Sequence, residues 1–244
     1  MSAVPGQERG AAAQTALLPG WVTAGGVARA RVVDLSHPLT GSTPIYPGDP
    51  EPRIFTATTV AEHGYNLSHV HIGTQTGTHV DAPYHFRDDG ATIDRLPLAM
   101  AVGPAVVVPL PGLAPRQRVT VADLEPYRGR LRPGAVALFA TGWYRHAGGP
   151  AFFEHPFLDE GVAVALLDAG VTTLAIDTLN ADATGGDEFP VHERFAAAGG
   201  LIAENLAGTA ALDPAVEPLL LLLPLNIVGC DGSPVRAVAL EPGG

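Results

Sequence analysis

The chain has 244 residues, of which 46% are hydrophobic and 16% are charged, a composition typical of one globular domain. Its 14 basic and 25 acidic residues give a net charge of −11, and no basic cluster occurs. Nucleic acid and anionic membrane surfaces are therefore excluded as expected partners, and a small-molecule substrate is favoured. A single cysteine excludes an intrachain disulfide and suits the reducing cytoplasm.

The first thirty residues differ from the rest of the chain. We predict a flexible N-terminal arm over residues 1–30 and a single domain over residues 31–244. The arm is alanine-rich and ends in Ala28-Arg29-Ala30, which resembles a signal-peptidase site. However, Gln14 and Pro19 interrupt the apolar run, and no basic region precedes it. We therefore expect no secretory signal and a cytoplasmic location.

The segment Gln75-Thr-Gly-Thr-His-Val-Asp-Ala-Pro-Tyr-His85 concentrates side chains that bind metal ions. Alternate side chains of a strand share a face, so His79 and Asp81 can both point at one ion. Pro83 cannot donate to a strand ladder and is expected to end the strand, which places His85 just past a turn. Because two ligands hold a divalent ion poorly, Gln75 and a residue distant in the chain are expected to complete the site.

Other histidines offer a weaker alternative. His69 and His71 are two residues apart in a predicted strand and form the competing metal pair by spacing alone. Four lone histidines are expected to be capping or surface residues: His37, His63, His146 and His155.

The rest of the chain predicts a strand-rich α/β fold. Short apolar segments, often β-branched, indicate buried strands at residues 102–110, 135–140, 172–178 and 219–228. Helices are predicted at residues 121–127, capped by Thr120, and at residues 159–169, ended by Gly170. The 23 prolines and 29 glycines indicate many turns and long loops instead of a helical bundle. Asp177, at the end of a predicted strand, is interpreted either as a turn cap or as support for the site.

A second candidate ligand pair lies further along the chain. The sequence predicts a short helix carrying His192, a stop at Gly199-Gly200 and a buried strand carrying Glu204. An ionised carboxylate in an apolar strand costs several kcal/mol or more to bury unless it is hydrogen-bonded or paired with a cation. Glu204 is therefore either a hydrogen-bonded structural acid or a metal ligand, and we favour the ligand.

These motifs resemble the metal-dependent cyclase-family hydrolases, the group that contains the bacterial kynurenine formamidases and the isatin hydrolases. The resemblance extends from Val33 to Leu240. It includes Asp34-Leu-Ser-His-Pro-Leu, Pro44-Ile-Tyr-Pro-Gly-Asp-Pro50 and, most specifically, Gly77-Thr-His-Val-Asp-Ala-Pro-Tyr-His-Phe86. It implies a swivelling β/β/α domain, in which a mixed sheet partly closed into a barrel has flanking helices. It also implies a homodimer or homotetramer.

The resemblance also implies roles for individual side chains. Those that would bind one or two divalent ions per chain, Zn²⁺ or Mn²⁺, are His79, Asp81, His192 and Glu204. His85 would transfer protons beside a metal-bound water. The formamidases carry a metal-binding histidine where this chain has Gln75, whose neutral carbonyl is a weaker ligand for zinc and favours a harder ion such as manganese. Tyr46 and Phe86 are expected near the substrate, with Trp143 as a further candidate for an aromatic wall.

Such a site suits hydrolysis of a small amide, lactam or lactone, as in an arylformamidase, with metal-activated water and a histidine proton shuttle. The sequence contains no Gly-x-Ser-x-Gly nucleophile motif. One alternative is a metal-dependent cyclase or dehydratase acting on a polyketide-type intermediate. Another is a catalytically inactive metal-containing binding protein, which the change at Gln75 would explain. A closed pocket is expected for the hydrolase and a longer, open apolar cleft for the polyketide cyclase.

Overall fold

The computed structural model describes residue 22 and residues 30–242. The predicted arm at residues 1–30 falls almost entirely outside the described residues, so the arm and the domain boundary stay predictions. Four α-helices occur in the described part: α1 Val60–His63, α2 Val121–Leu124, α3 Glu160–Asp168 and α4 Pro190–Ala197. The strands are β1 Ala30–Asp34, β2 Arg53–Thr58, β3 Leu67–His71, β4 His79–Asp81, β5 Val102–Pro109, β6 Arg118–Val119, β7 Val136–Ala140, β8 Phe157–Leu158, β9 Thr173–Ile176, β10 Leu201–Glu204, β11 Leu219–Leu221, β12 Gly232–Pro234 and β13 Val238–Pro242.

Nine of the described strands form one mixed sheet that curls into a half barrel, in the order β1-β13-β11-β5-β7-β9-β10-β4-β12. The central strands β5, β7, β9 and β10 are parallel, and antiparallel strands extend the sheet on both sides. The predicted strand-rich α/β fold, with a partly closed mixed sheet and flanking helices, is confirmed. Strands β2 and β3 form a separate hairpin.

The sheet separates two hydrophobic cores because alternate side chains of a strand point to opposite faces. In β7, Leu138 packs into the core inside the curl, whereas Phe139 packs beneath the helices. On that second face, Leu166 of α3 and Phe195 of α4 are fully buried. The two helices are thereby fixed against the parallel strands, and α4 carries one of the predicted ligands.

Most predicted elements occur where expected, and the differences have local causes. Helix α3 begins one residue later than predicted, at Glu160, because the side chain of Asp159 caps it by accepting from the backbone N–H of Gly161. Helix α2 has the predicted cap but lasts only four residues, and a 3₁₀ helix that includes Pro126 continues it over Glu125–Arg130. The strand predicted at residues 219–228 was too long, since β11 ends at Leu221 and Pro224 cannot donate to a ladder.

In the part of the chain that the structure describes, no helix has the length and apolar character needed to cross a membrane.

Candidate metal centre and adjoining pocket

Strand pairing assembles the first three side chains of the site. His79 and Asp81 lie on β4 and share a face, while Val80 between them is fully buried in the core. The antiparallel register between β4 and β10 places Glu204 directly opposite His79. All three polar side chains are at least 95% buried. One ligand atom from each lies within 4.8 Å of the others, the spacing of groups that can share a metal ion.

The N-terminus of α4 supplies the fourth side chain. Asp182 caps this helix, because its carboxylate accepts from the backbone N–H groups of Val191 and His192 at 3.0 and 3.1 Å. The same carboxylate lies 2.7 Å from Nδ1 of His192. Asp182 therefore fixes both the start of the helix and the orientation of the imidazole.

The four side chains form a compact, symmetrical arrangement. Nε2 of His79 lies 3.5 Å from Oδ1 of Asp81 and 3.5 Å from Oε2 of Glu204. Nε2 of His192 lies 3.6 Å from Oδ2 of Asp81 and 3.1 Å from Oε1 of Glu204. Each imidazole thus faces one oxygen of each carboxylate.

The hydrogen bonds around the site leave these facing atoms available to a cation. Nδ1 of His79 donates to the backbone carbonyl of Gly77 at 2.8 Å, and Nδ1 of His192 donates to Asp182, so both Nε2 lone pairs face inward. Both oxygens of Asp81 are buried without a hydrogen-bond partner among the described residues. Two nitrogen lone pairs and two carboxylates facing one another repel unless positive charge lies between them. The donor set therefore fits a divalent metal ion.

The pKa shifts in the site also show that positive charge is favoured between the two carboxylates. Burial alone lowers the pKa of His79, but the charges of Asp81 and Glu204 outweigh burial and raise it to about 10. The pKa of His192 is likewise raised well above its ordinary value, because the charge of Glu204 and the hydrogen bond to Asp182 outweigh burial. The pKa of Asp81 is lowered, since the charge of His79 outweighs burial. The carboxylates stay ionised, and protons or a metal ion must neutralise them.

His85 lies beside the candidate metal centre, in the short 3₁₀ helix Pro83–His85 that follows β4. Its Nδ1 lies 3.0 Å from Oδ2 of Asp231. A carboxylate only accepts hydrogen bonds, so Nδ1 carries the proton and Nε2 is the basic nitrogen. Burial lowers the pKa of His85, but the hydrogen bond to Asp231 and the charge of Asp81 raise it overall. The same hydrogen bond to His85 lowers the pKa of the Asp231 carboxyl group to about 2.

A cavity of about 200 Å³ opens onto these groups. Its aromatic wall consists of Tyr46, Phe86 and Phe189, with ring centroids 5.3 Å apart for the two phenylalanines and 6.4 Å apart for Tyr46 and Phe189. His85 lines the cavity together with Asp49, whose pKa is raised mainly by burial. The cavity thus places an aromatic surface, a basic imidazole and a carboxyl group beside the candidate metal centre.

The other candidates from the sequence lie elsewhere. His69 and His71 are exposed on the β2–β3 hairpin, where the His69 ring stacks on Phe55 at 5.0 Å. Trp143 is 94% buried in a small cluster behind the cavity, and its Nε1 donates to the backbone carbonyl of Ala151. Asp177 accepts from the backbone N–H groups of Thr141 and Gly142, so it supports the chain just after β7 instead of capping the turn that follows its own strand.

Gln75 lines the cavity, but both ends of its amide contact neighbouring side chains. Nε2 donates to Oδ2 of Asp231 at 3.0 Å, and Oε1 lies 2.7 Å from Oγ1 of Thr74. The structure brings together the six predicted metal and proton-transfer residues in one region, and their roles stay predictions.

Sequence reasoning missed two acids that orient histidines, Asp182 and Asp231. Asp182 follows β9, and ligand sites of parallel sheets form beyond the carboxyl ends of the strands, so its position carried a usable signal. Asp231 immediately precedes β12, and only the pairing of β12 with β4 brings it near His85. Nothing in the local sequence indicates that pairing.

Comparisons with known proteins agree with this architecture. The Cyclase family model matches residues 33–183, more than half of the chain. A kynurenine formamidase from Salinibacter ruber is 35% identical over 218 residues, which cover 85% of this chain and 96% of that protein. A kynurenine formamidase from Geobacillus thermodenitrificans is 30% identical over 214 residues, which cover 86% of this chain and 98% of that protein. A crystal structure of an isatin hydrolase bound to the product analogue thioisatinate superimposes with a TM-score of 0.81 at 23% identity, covering 88% of this chain and 93% of that one.

Fold and site define a mixed α/β protein with a buried histidine–carboxylate centre at the edge of a curled sheet. The chain belongs to the cyclase family.

Proposed function

We propose that this chain is a metal-dependent hydrolase that cleaves the C–N bond of a small aryl amide or lactam, as an arylformamidase does. The observation that carries the proposal is the arrangement of two imidazole lone pairs against two ionised carboxylates, with both Asp81 oxygens buried and unpaired among the described residues. Kynurenine formamidases as relatives at 30% and 35% identity support the reaction class.

His79, Asp81, His192 and Glu204 would hold the ion or ions. When bound, a divalent ion supplies Lewis acidity, which makes water a stronger acid and polarises a carbonyl group. Zn²⁺ and Mn²⁺ both suit imidazole and carboxylate ligands, and one or two ions per chain fit the four side chains.

His85 would handle the proton in this reaction. Its Nε2 accepts a proton from the attacking water and delivers that proton to the leaving nitrogen when the C–N bond breaks. Asp231 holds the ring by accepting from Nδ1, so that in the neutral imidazole the lone pair lies on Nε2. The aromatic rings of Tyr46 and Phe86 would hold an aryl group beside the carbonyl carbon.

The size of the cavity supports a small substrate. A volume of about 200 Å³ suits a single-ring or bicyclic molecule better than the extended intermediate of a polyketide cyclase. We further propose that the protein acts in the cytoplasm as a homodimer or homotetramer, with no nucleic acid or membrane partner.

Metal analysis and an amide assay test the proposal together. The purified chain should contain one or two divalent ions and hydrolyse N-formylkynurenine or isatin. His79→Ala and His192→Ala should lose both metal and activity, because each removes an inward-facing nitrogen. His63→Ala, in helix α1, which has no buried residue, should change neither. A metal-free wild type, or hydrolysis that survives both ligand substitutions, would overturn the proposal.

A further inference from the structure

The Gln75 amide is oriented by its partners. Only the NH₂ end of a carboxamide can donate to a carboxylate, so the 3.0 Å contact with Asp231 fixes Nε2 on that side. Oε1 then faces Oγ1 of Thr74 at 2.7 Å. The carbonyl that could bind a metal ion is therefore held beside a hydroxyl group.

Asp231 is the point on which three side chains converge. Its Oδ2 accepts both from Nε2 of Gln75 and from Nδ1 of His85, each at 3.0 Å. Its Oδ1 lies 2.9 Å from Oγ1 of Thr74, whose single proton is shared with the Gln75 carbonyl. Gln75 and His85 are thus fixed to the same carboxylate oxygen, and a shift of one moves the acceptor of the other.

The backbone leaves room for this contact. A Cβ atom at Gly232, the residue after Asp231, would lie 2.6 Å from Nε2 of Gln75 and 2.6 Å from the backbone carbonyl of Val80. The glycine therefore allows the amide to pack against β12 and reach Asp231. By contrast, His79, His192 and Glu204 are held by hydrogen bonds to Gly77, Asp182 and Ala181, none of which involves Gln75.

We propose that Gln75 is a positioning residue that fixes Asp231 against His85, and that it is not a metal ligand. The inference rests on the proposed function in so far as His85 carries the proton. In this chain Gln75 belongs to a hydrogen-bonded unit formed with Thr74, Asp231 and His85.

Gln75→Glu separates the two roles because they predict opposite effects. An anionic oxygen is a stronger ligand than an amide carbonyl, so a ligand at this position would gain metal affinity. A positioning residue would instead place a second carboxylate against Asp231 and disturb His85. We expect metal affinity within about 2-fold of wild type in Gln75→Glu and in Gln75→Met. We expect kcat to fall about 10- to 100-fold in both, with KM little changed, since misplaced catalytic groups cost rates of this order.

Gln117→Glu is the matched control, because it makes the same change at an exposed site and should alter neither quantity. Tighter metal binding in Gln75→Glu, with weaker binding in Gln75→Met, would overturn the inference. So would an unchanged kcat in both variants.

Ring ¹⁵N resonances provide a test that does not depend on turnover. In Gln75→Met we expect the His85 signals, assigned with His85→Gln, to move while those of His79 and His192 stay in place. The reverse pattern would identify Gln75 as a ligand. If the wild type hydrolyses neither amide, the proposed function fails, but the metal affinities and the resonances still decide the role of Gln75.

Discussion

Asp182 serves both a helix and the candidate metal centre, so its replacement should affect stability and metal binding together. Asp182→Ala removes the cap of α4, worth about 1 kcal/mol, and the acceptor that fixes the His192 ring. Loss of a carboxylate behind a metal-binding histidine typically weakens metal affinity about 10- to 100-fold. We expect both effects, measured by urea unfolding of the metal-free protein and by metal titration.

Asp187→Ala, an exposed acid in the same loop, should leave stability and metal affinity unchanged. Wild-type metal affinity in Asp182→Ala would show that the His192 ring is held by other contacts.

The His85–Asp231 pair predicts the pH dependence of hydrolysis. His85 must be neutral at Nε2 to accept a proton, and its raised pKa means that this form is reached only above the ordinary histidine range of about 6.5. Asp231→Asn removes the carboxylate charge that stabilises the protonated ring and raises this pKa, while burial, which lowers it, remains. The acidic limb of kcat/KM against pH should therefore move to lower pH in Asp231→Asn, with a lower plateau. A limb that stays in place would exclude His85 as the titrating base.

The connection between α4 and β10 allows a comparison of two adjacent glycines. Gly199 has φ of +71° and, among the described residues, open space where a Cβ atom would lie, so Gly199→Ala should cost about 1–2 kcal/mol through backbone strain alone. A Cβ at Gly200 would lie 2.7 Å from Cδ1 of Phe195 and 3.0 Å from the Thr172 carbonyl oxygen. That oxygen accepts from the N–H of Leu201, so Gly200→Ala should displace β10 and with it Glu204.

We therefore expect reduced metal affinity in Gly200→Ala and wild-type affinity in Gly199→Ala, although both should unfold at lower urea concentrations. Equal metal affinities would mean that β10 absorbs the clash without moving Glu204.

These elements also show which features the sequence could predict. The pair His79 and Asp81 was predictable because the period of a strand places both on one face, and the helix, glycine stop and strand around Glu204 follow local rules. The contact between His85 and Asp231 joins residues 146 positions apart and depends on the pairing of β12 with β4. The pairing of two strands distant in the chain, such as β12 and β4, produces no periodic pattern in either sequence segment and so could not be predicted.

In the molecule as a whole, the β2–β3 hairpin buries little of its surface against the rest of the described chain. Every described residue of β3 is exposed, as are all but the last of β2. Ile54 and Val70 pair across one face and are 40% and 53% exposed, while Phe55 on the opposite face is 54% exposed. A two-stranded sheet with apolar side chains exposed on both faces is marginally stable alone. Exposed apolar patches of this kind mark protein interfaces.

In the proposed homo-oligomer, a second subunit would bury these apolar side chains of the hairpin. A charged residue introduced among them should therefore dissociate the oligomer. We expect Val70→Glu and Phe55→Glu to lower the molar mass measured by light scattering during size-exclusion chromatography, because a buried carboxylate without a partner costs several kcal/mol. Val228→Glu, at a residue 75% exposed outside the hairpin, should keep the wild-type mass. Since the hairpin forms a sheet separate from the strands that carry His79, Asp81 and Glu204, metal content should survive dissociation. Wild-type mass in both hairpin variants would assign the subunit contact to another surface.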